Sequence, residues 1–403
     1  MGRVRTGSRG CLGAMLAAAI SLLALSPAAA QAVPVWGAQA PSGAQISIIN
    51  GDPASIAEFP SLAFISARNT FSCTGTVIAP RVVLTAAHCV EDLNLGGFTA
   101  PSKYTVVTGR SNPSQTGSGN VLRVSETHVF PRFDPGTAHG DAALLVLASP
   151  TPAPPIPLAG EADAALYAGG AGVRLAGWGL TSPNATVPPN GLRSTSNVVL
   201  DPSACKSGTR TYYPPYSPAI QMCTTDPPDH RNGGCFGDSG GPVIAQRADG
   251  SPVEIGIVST GGPQCSTKVP NIFTRADLVS TWAAEWVAAI ETGAPPPALK
   301  ARLPRLTEES AEGLVVGVLR TNLGTLFLRN RGLRGGCRRL APVRVKCELL
   351  WQHGSKVYFA TVTVFYVLRQ NTVAWDNSFV FRRASASCLR SDRPSCPVEV
   401  KRG

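Results

Sequence analysis

From Ile48 onward the chain repeats one pattern: short apolar runs broken by clusters of Gly, Pro, Asn and Ser. Such runs lie at 61–66, 81–85, 104–108, 142–147, 173–176, 242–245 and 253–259. Each is too short for an ordinary helix and is bounded by turn formers, so the pattern predicts many short strands in a sandwich or barrel. One helix closes this region. Leu278, Trp282, Trp286 and Ile290 recur every fourth residue, and Val279, Ala283 and Val287 widen the stripe. Asp277 is expected to cap its start, Gly293 to end it, and Pro295, Pro296 and Pro297 to prevent its continuation.

The N-terminus reads as an export leader over residues 1–30. Arg3, Arg5 and Arg9 precede an uncharged apolar run from 11 to 25, and Ala28, Ala29 and Ala30 offer a cleavage site. The run is shorter than the roughly 20 residues a membrane helix needs, and no other stretch is long enough, so no membrane span is expected after cleavage behind Ala30 or Ala32. Residues 31–47 carry no charge and read as a short propeptide. An exported chain with an even cysteine count predicts disulfides. The ten beyond the leader are Cys73, Cys89, Cys205, Cys223, Cys235, Cys265, Cys337, Cys347, Cys388 and Cys396. None stands in a tight Cys-x2-Cys pair, so neither a metal nor a cofactor is expected.

The net charge of +11 is unevenly spread. Residues 48–299 hold 14 basic and 18 acidic residues, whereas 300–403 hold 19 and 7. The basic character therefore belongs to the last quarter of the chain. A proline-bearing linker, 293–306, separates the two parts.

Three segments carry the chemistry. Thr85-Ala86-Ala87-His88-Cys89 follows a predicted strand, Asp141 opens Asp141-Ala142-Ala143-Leu144-Leu145, and Gly237-Asp238-Ser239-Gly240-Gly241-Pro242 precedes a strand. With these motifs, in the order His, Asp, Ser, residues 48–292 resemble the chymotrypsin–trypsin family of serine proteases. The resemblance implies a mainly β fold: a double six-stranded antiparallel β-barrel with a C-terminal helix. It implies a secreted endopeptidase that acts on protein or peptide substrates through an acyl-enzyme. Ser239 would be the nucleophile, His88 the general base and Asp141 the carboxylate that orients it. The N–H groups of Gly237 and Ser239 would form the oxyanion hole. Gly177-Trp178-Gly179 matches a family turn, and the family's pairings would join Cys73–Cys89, Cys205–Cys223 and Cys235–Cys265.

Ile48-Ile49-Asn50-Gly51 resembles the family's mature start, where a freed ammonium at Ile48 would pair with Asp238. Ser47 departs from the arginine usual before that cut. The pocket residues implied are Gly233, Gly234, Ser259, Thr260, Gly261 and Asn271. Gly233 stands where tryptic members carry an aspartate, so a Lys/Arg preference is not expected, and Asn271 replaces a usual glycine. Thr260 replaces a usual tryptophan. Asp226 or Asp229, from the enlarged 223–235 segment, could still bring an acid to the pocket.

Residues 307–403 form a small α+β module. Thr307, followed by Glu308, Glu309 and Glu312, marks a helix start. Strand-like runs follow at 343–350, 357–368 and 372–381, and the preferred pairing of the last four cysteines is Cys337–Cys347 and Cys388–Cys396. The dense arginines at 329, 331, 334, 338, 339 and 344 suit an anionic surface such as a cell-wall polymer, or equally a solvated basic face. A monomer is expected. Two other readings compete. A protease-like barrel could serve as a non-catalytic binding protein, with the basic module as its anchor. An esterase could use the same triad, but its usual order, Ser then Asp then His, contradicts this chain.

Overall fold

The computed structural model describes residues 48–68, 70–92, 97–182, 190–209, 216–295, 297, 305–328, 331–369, 372–385 and 399–402. The predicted leader and propeptide, and Cys388 and Cys396, lie outside these residues.

Twelve strands form two closed barrels. The first comprises β1 (Leu62–Ala67), β2 (Thr70–Ala79), β3 (Val82–Thr85), β4 (Tyr104–Thr108), β5 (Asn120–Val129) and β6 (Ala143–Leu147). Its order is β1-β2-β3-β6-β5-β4, closed by β4 against β1. The second comprises β7 (Gly172–Gly177), β8 (Arg193–Val199), β9 (Gln221–Thr225), β10 (Pro242–Gln246), β11 (Pro252–Thr260) and β12 (Asn271–Arg275). Its order is β8-β7-β10-β11-β12-β9, and antiparallel pairing of β8 with β9 closes the ring. Closure leaves no free strand edge in either barrel. Every pairing in both is antiparallel, as the family resemblance implies.

Strand β6 explains why the barrels bury so much. All five of its residues are buried, and Leu144, Leu145 and Leu147 are fully so. Burying each such side chain contributes roughly 1.5–3 kcal/mol. Helix α1 (Pro202–Gly208) is a short excursion of the second barrel. Helix α2 (Ser280–Thr292) follows the second barrel in sequence yet packs on the first. Trp286 stacks on His128 at 3.5 Å between centroids, and Trp282 meets Phe130 edge-on at 5.3 Å. Gly293 ends α2 in the left-handed conformation, φ 68°, as expected. Asp277 does not cap it. Its carboxylate is taken by Arg275 at 2.6 and 3.1 Å, and Val279 occupies the cap position without a side-chain bond.

The C-terminal module is a helix on a sheet. Thr307 caps α3 (Glu308–Leu323) by accepting the Ser310 N–H at 2.9 Å, as its sequence predicts. A turn, α4 (Thr325–Leu328), leads into five antiparallel strands in sequential order: β13 (Arg331–Ala341), β14 (Arg344–His353), β15 (Lys356–Arg369), β16 (Thr372–Ser385) and β17 (Glu399–Arg402). Ala311, Leu314, Val315, Val318 and Leu319 of α3 bury against Val345, Trp351, Tyr358, Val362 and Tyr366. Cys337 and Cys347 are direct cross-strand partners and form a disulfide. The other disulfides among the described residues are Cys73–Cys89, Cys205–Cys223 and Cys235–Cys265. No described helix is long and apolar enough to cross a membrane.

Candidate active site

Strand register brings the first two residues together. β3 pairs with β6 so that Thr85 lies opposite Ala143. His88 sits on the 3₁₀ turn Ala87–Cys89 just past β3, and Asp141 lies just before β6. The two side chains therefore leave neighbouring strand ends. The Cys73–Cys89 disulfide ties the His88 turn to β2.

Asp141 is fully buried and accepts three hydrogen bonds. Its Oδ2 lies 2.7 Å from His88 Nδ1 and accepts the Ser259 hydroxyl at 2.6 Å, while Oδ1 accepts the His88 main-chain N–H at 2.9 Å. Burial alone would raise its pKa, but His88 and Ser259 outweigh burial and hold the carboxyl below its ordinary range. Burial likewise opposes charge on His88. Attraction and hydrogen bonding from Asp141, with a smaller contribution from Glu91, place its imidazole above the ordinary value. Nδ1 is thereby committed to Asp141, and the ring remains one-third exposed, side-chain exposure 33%.

Ser239 arrives from the second barrel, in the turn before β10. Its carbonyl accepts the Thr74 N–H at 2.9 Å, the Thr74 hydroxyl donates to the Gly237 carbonyl at 3.0 Å, and Thr85 Oγ1 donates to the Thr74 carbonyl at 2.9 Å. Gly240 turns at φ +79°, where a Cβ would collide with Thr74 O and Ala86 N. Only glycine lets the turn press this close to the segment leading into His88. Among the described residues no hydrogen bond joins the Ser239 hydroxyl to His88; where a serine nucleophile and a histidine base act together, that bond is often long in the free enzyme and tightens around substrate. Gly237 turns at φ +101°, and the main-chain donors of the turn that follows divide into committed and uncommitted ones. The N–H groups of Asp238, Gly240 and Gly241 bond to Cys235, Val258 and Asp238 carbonyls, whereas those of Gly237 and Ser239 meet no backbone acceptor among the described residues.

Asp238 is buried between Gly177 and Gly179, where a Cβ on either glycine would overlap its carboxylate. It accepts the N–H groups of Gly179 at 2.8 Å and Cys235 at 2.9 Å, yet burial still pushes it up to about 7. Ile48 is buried in the second barrel's core, and the Ile49 N–H donates to the Gly233 carbonyl at 2.8 Å. The expected mature start thus lies against the wall of the expected pocket.

That pocket is not open. The Asn271 amide stands between its two walls: Oδ1 accepts the Gly234 N–H at 3.1 Å, and a Cβ on Gly233 would meet Oδ1 at 2.6 Å. On the other side, a Cβ on Gly261 would meet Nδ2 at 2.5 Å. Thr260 is half-buried, opposite Ile272. Both candidate acids have partners within their own segment. Asp226 accepts the N–H groups of Arg231 and Asn232 at 3.2 and 3.1 Å, and Asp229 lies 3.3 Å from the Arg231 guanidinium.

Two features escaped the sequence. Phe236, next to Gly237, is a large apolar side chain 65% exposed. Glu91, three residues past His88, is held by Trp375 of the C-terminal sheet at 2.6 Å. Nothing local marks that contact, which spans 284 positions.

Comparison with known proteins agrees with the fold. The Trypsin family model matches residues 48–283. A trypsin of Saccharopolyspora erythraea is 30% identical over 232 residues, 57% of this chain and 92% of the relative. A trypsin-like protease of Streptomyces glaucescens is 31% identical over 272 residues, 66% and 89% of the two chains. Trypsin alpha-4 of Lucilia cuprina is 27% identical over 269 residues and 97% covered. The chain is a hydrolase and belongs to the trypsin family of serine endopeptidases.

Proposed function

We propose that the chain is a secreted endopeptidase in which Ser239 attacks the scissile carbonyl while His88 takes its proton. Asp141 fixes the imidazole tautomer and stabilises the imidazolium. The observation that carries the reading is the buried Asp141 carboxylate, shared by His88 Nδ1 at 2.7 Å and Ser259 Oγ at 2.6 Å. It leaves Nε2 as the ring's proton acceptor. The N–H groups of Gly237 and Ser239, which meet no backbone acceptor among the described residues, supply the oxyanion hole, each such donor contributing roughly 2.7–4 kcal/mol in the transition state. His88 then returns its proton to the leaving amine, and water repeats the cycle on the acyl-enzyme.

The residue before the scissile bond is small to medium-sized and uncharged. Gly233 supplies no acid, and the Asn271 amide fills the space between Gly233 and Gly261. Maturation frees Ile48, whose ammonium supplies the cation that the buried Asp238 lacks. Residues 1–30 and 31–47 serve as leader and propeptide, 48–292 as the catalytic domain, 293–306 as the linker and 307–403 as the basic accessory module. Ser239→Ala is expected to lower kcat by about a million-fold while the fold survives. Peptide hydrolysis persisting in a clean preparation of that variant rules the mechanism out.

A further inference from the structure

The C-terminal sheet grips the two loops that carry the catalytic dyad. Trp375, on β16, donates its indole N–H to Glu91 Oε1 at 2.6 Å. Its direct cross-strand neighbour on β15, Tyr366, donates its hydroxyl to Asp134 Oδ1 at 2.7 Å. Asp134 opens the loop that ends at Asp141, and its Oδ2 also accepts the Ser310 hydroxyl at 2.5 Å. Gly136 of that loop lies so near Ser310 that a Cβ would overlap the Ser310 backbone. One rung of the sheet thus reaches both the segment after His88 and the segment before Asp141. The gripping side chains are buried: Tyr366 is 2% exposed, Trp375 4% and Ser310 0%. Desolvated polar contacts of this kind are costly to leave unmade, which distinguishes a fixed seam from a tethered domain.

We infer that the C-terminal sheet is a brace of the catalytic site, in which Trp375 and Glu91 are positioning residues for His88, and Tyr366 and Ser310 hold the loop of Asp141. The inference rests on the Ser239–His88–Asp141 reading and gives the module a part in turnover. Glu91 faces His88 and Asp141 on the catalytic side, and Trp375 and the Tyr366 phenol, itself bonded to Asp134, on the sheet side. Burial pushes Glu91 up to about 7, while the Trp375 bond and His88 favour its anion. That anion favours the imidazolium of His88. Removing either the carboxylate charge or the indole donor therefore lowers the pH at which His88 titrates.

The experiment measures kcat and KM from acid to alkaline pH for the processed full chain and for Trp375→Phe, Glu91→Gln and the control Trp351→Phe. Trp351 donates to the Leu326 carbonyl inside the module, away from the seam. Trp375→Phe is expected to lower kcat about tenfold with little change in KM, as small misplacements of a base do, whereas Glu91→Gln removes the charge, keeps the indole's acceptor and should alter kcat little. Both should move the acid limb of kcat/KM to lower pH, and Trp351→Phe should leave kcat and the limb in place. Parental kcat in Trp375→Phe and an unmoved limb in both seam variants overturn the brace. Should Trp375→Phe not fold, the limb of Glu91→Gln decides alone, since its amide oxygen still accepts from the indole. Ser239→Ala, run alongside, separates the two ideas: its loss of activity beside unchanged seam variants overturns only the brace.

Discussion

Glu254 carries an unusual electrostatic load. It lies on β11 with 0% exposure, and neither carboxylate oxygen has a hydrogen-bond partner among the described residues. Its main chain is fixed by bonds to Pro157 O at 3.0 Å and from Ala159 N at 2.8 Å, so the side chain cannot retreat to water. Burial pushes its pKa up from 4.5 to about 8; the neighbouring Thr76 hydroxyl opposes this only weakly and is too poorly placed for a hydrogen bond. The sign follows directly. Below 4.5 both folded and unfolded states are protonated, and the residue makes no difference. As pH rises from 4.5 towards 8 the unfolded chain ionises while the folded one does not, and stability falls. At about 1.4 kcal/mol per unit, the loss is about 3 kcal/mol at pH 7 and about 5 kcal/mol at pH 9. Glu254→Gln keeps the shape and removes the ionisation, so it should recover most of that loss. Urea unfolding at pH 4, 7 and 9 in a Ser239→Ala background, which prevents self-digestion, measures it. The midpoint should rise by about 1 M at pH 7, more at pH 9 and hardly at pH 4. A gain independent of pH, or a Gln variant less stable at pH 9, refutes the reasoning.

Asn271→Gly should empty the space between Gly233 and Gly261 and shift cleavage towards larger residues before the scissile bond; profiling on a random peptide library checks this, and an unchanged profile counts against Asn271 as the filler. Replacing Cys337 and Cys347 with serine opens a ten-residue loop. The module should lose about 2–3 kcal/mol, read as a lowered thermal midpoint with the barrels unaffected. N-terminal sequencing of the active protein should begin at Ile48, and a fully active form beginning at Gln31 contradicts the Ile48–Asp238 pair.

The catalytic half was legible because its signals are local. Thr85-Ala86-Ala87-His88-Cys89 and Gly237-Asp238-Ser239-Gly240-Gly241 each encode a strand end, a turn and a reactive group within a few positions. Run 142–147 reads as a buried strand because nothing polar interrupts it, and Gly293 stops a helix by its own backbone freedom. Asp277 misled because its sequence position suits a cap, but Arg275, two residues away, offers a bidentate partner. β13 was hidden for a different cause. Its arginines and paired glycines read as a charged cluster, and its strand conformation comes from eleven residues laid along β14 and held by Cys337–Cys347. The seam was invisible in sequence: Glu91 and Asp134 meet partners 284 and 232 positions away, and no periodicity records such a meeting.

The seam bears on how a shortened enzyme should be made. The boundary of the family match, at residue 283, invites an expression product that ends soon after the barrels. Such a product would strip the indole from Glu91 and both hydroxyls from Asp134, wetting one acid that acts on the His88 imidazole and another in the loop that leads to Asp141. Kinetic constants taken from it would then describe a differently charged cleft, and inhibitors ranked on it would be ranked against a surface the whole molecule keeps covered.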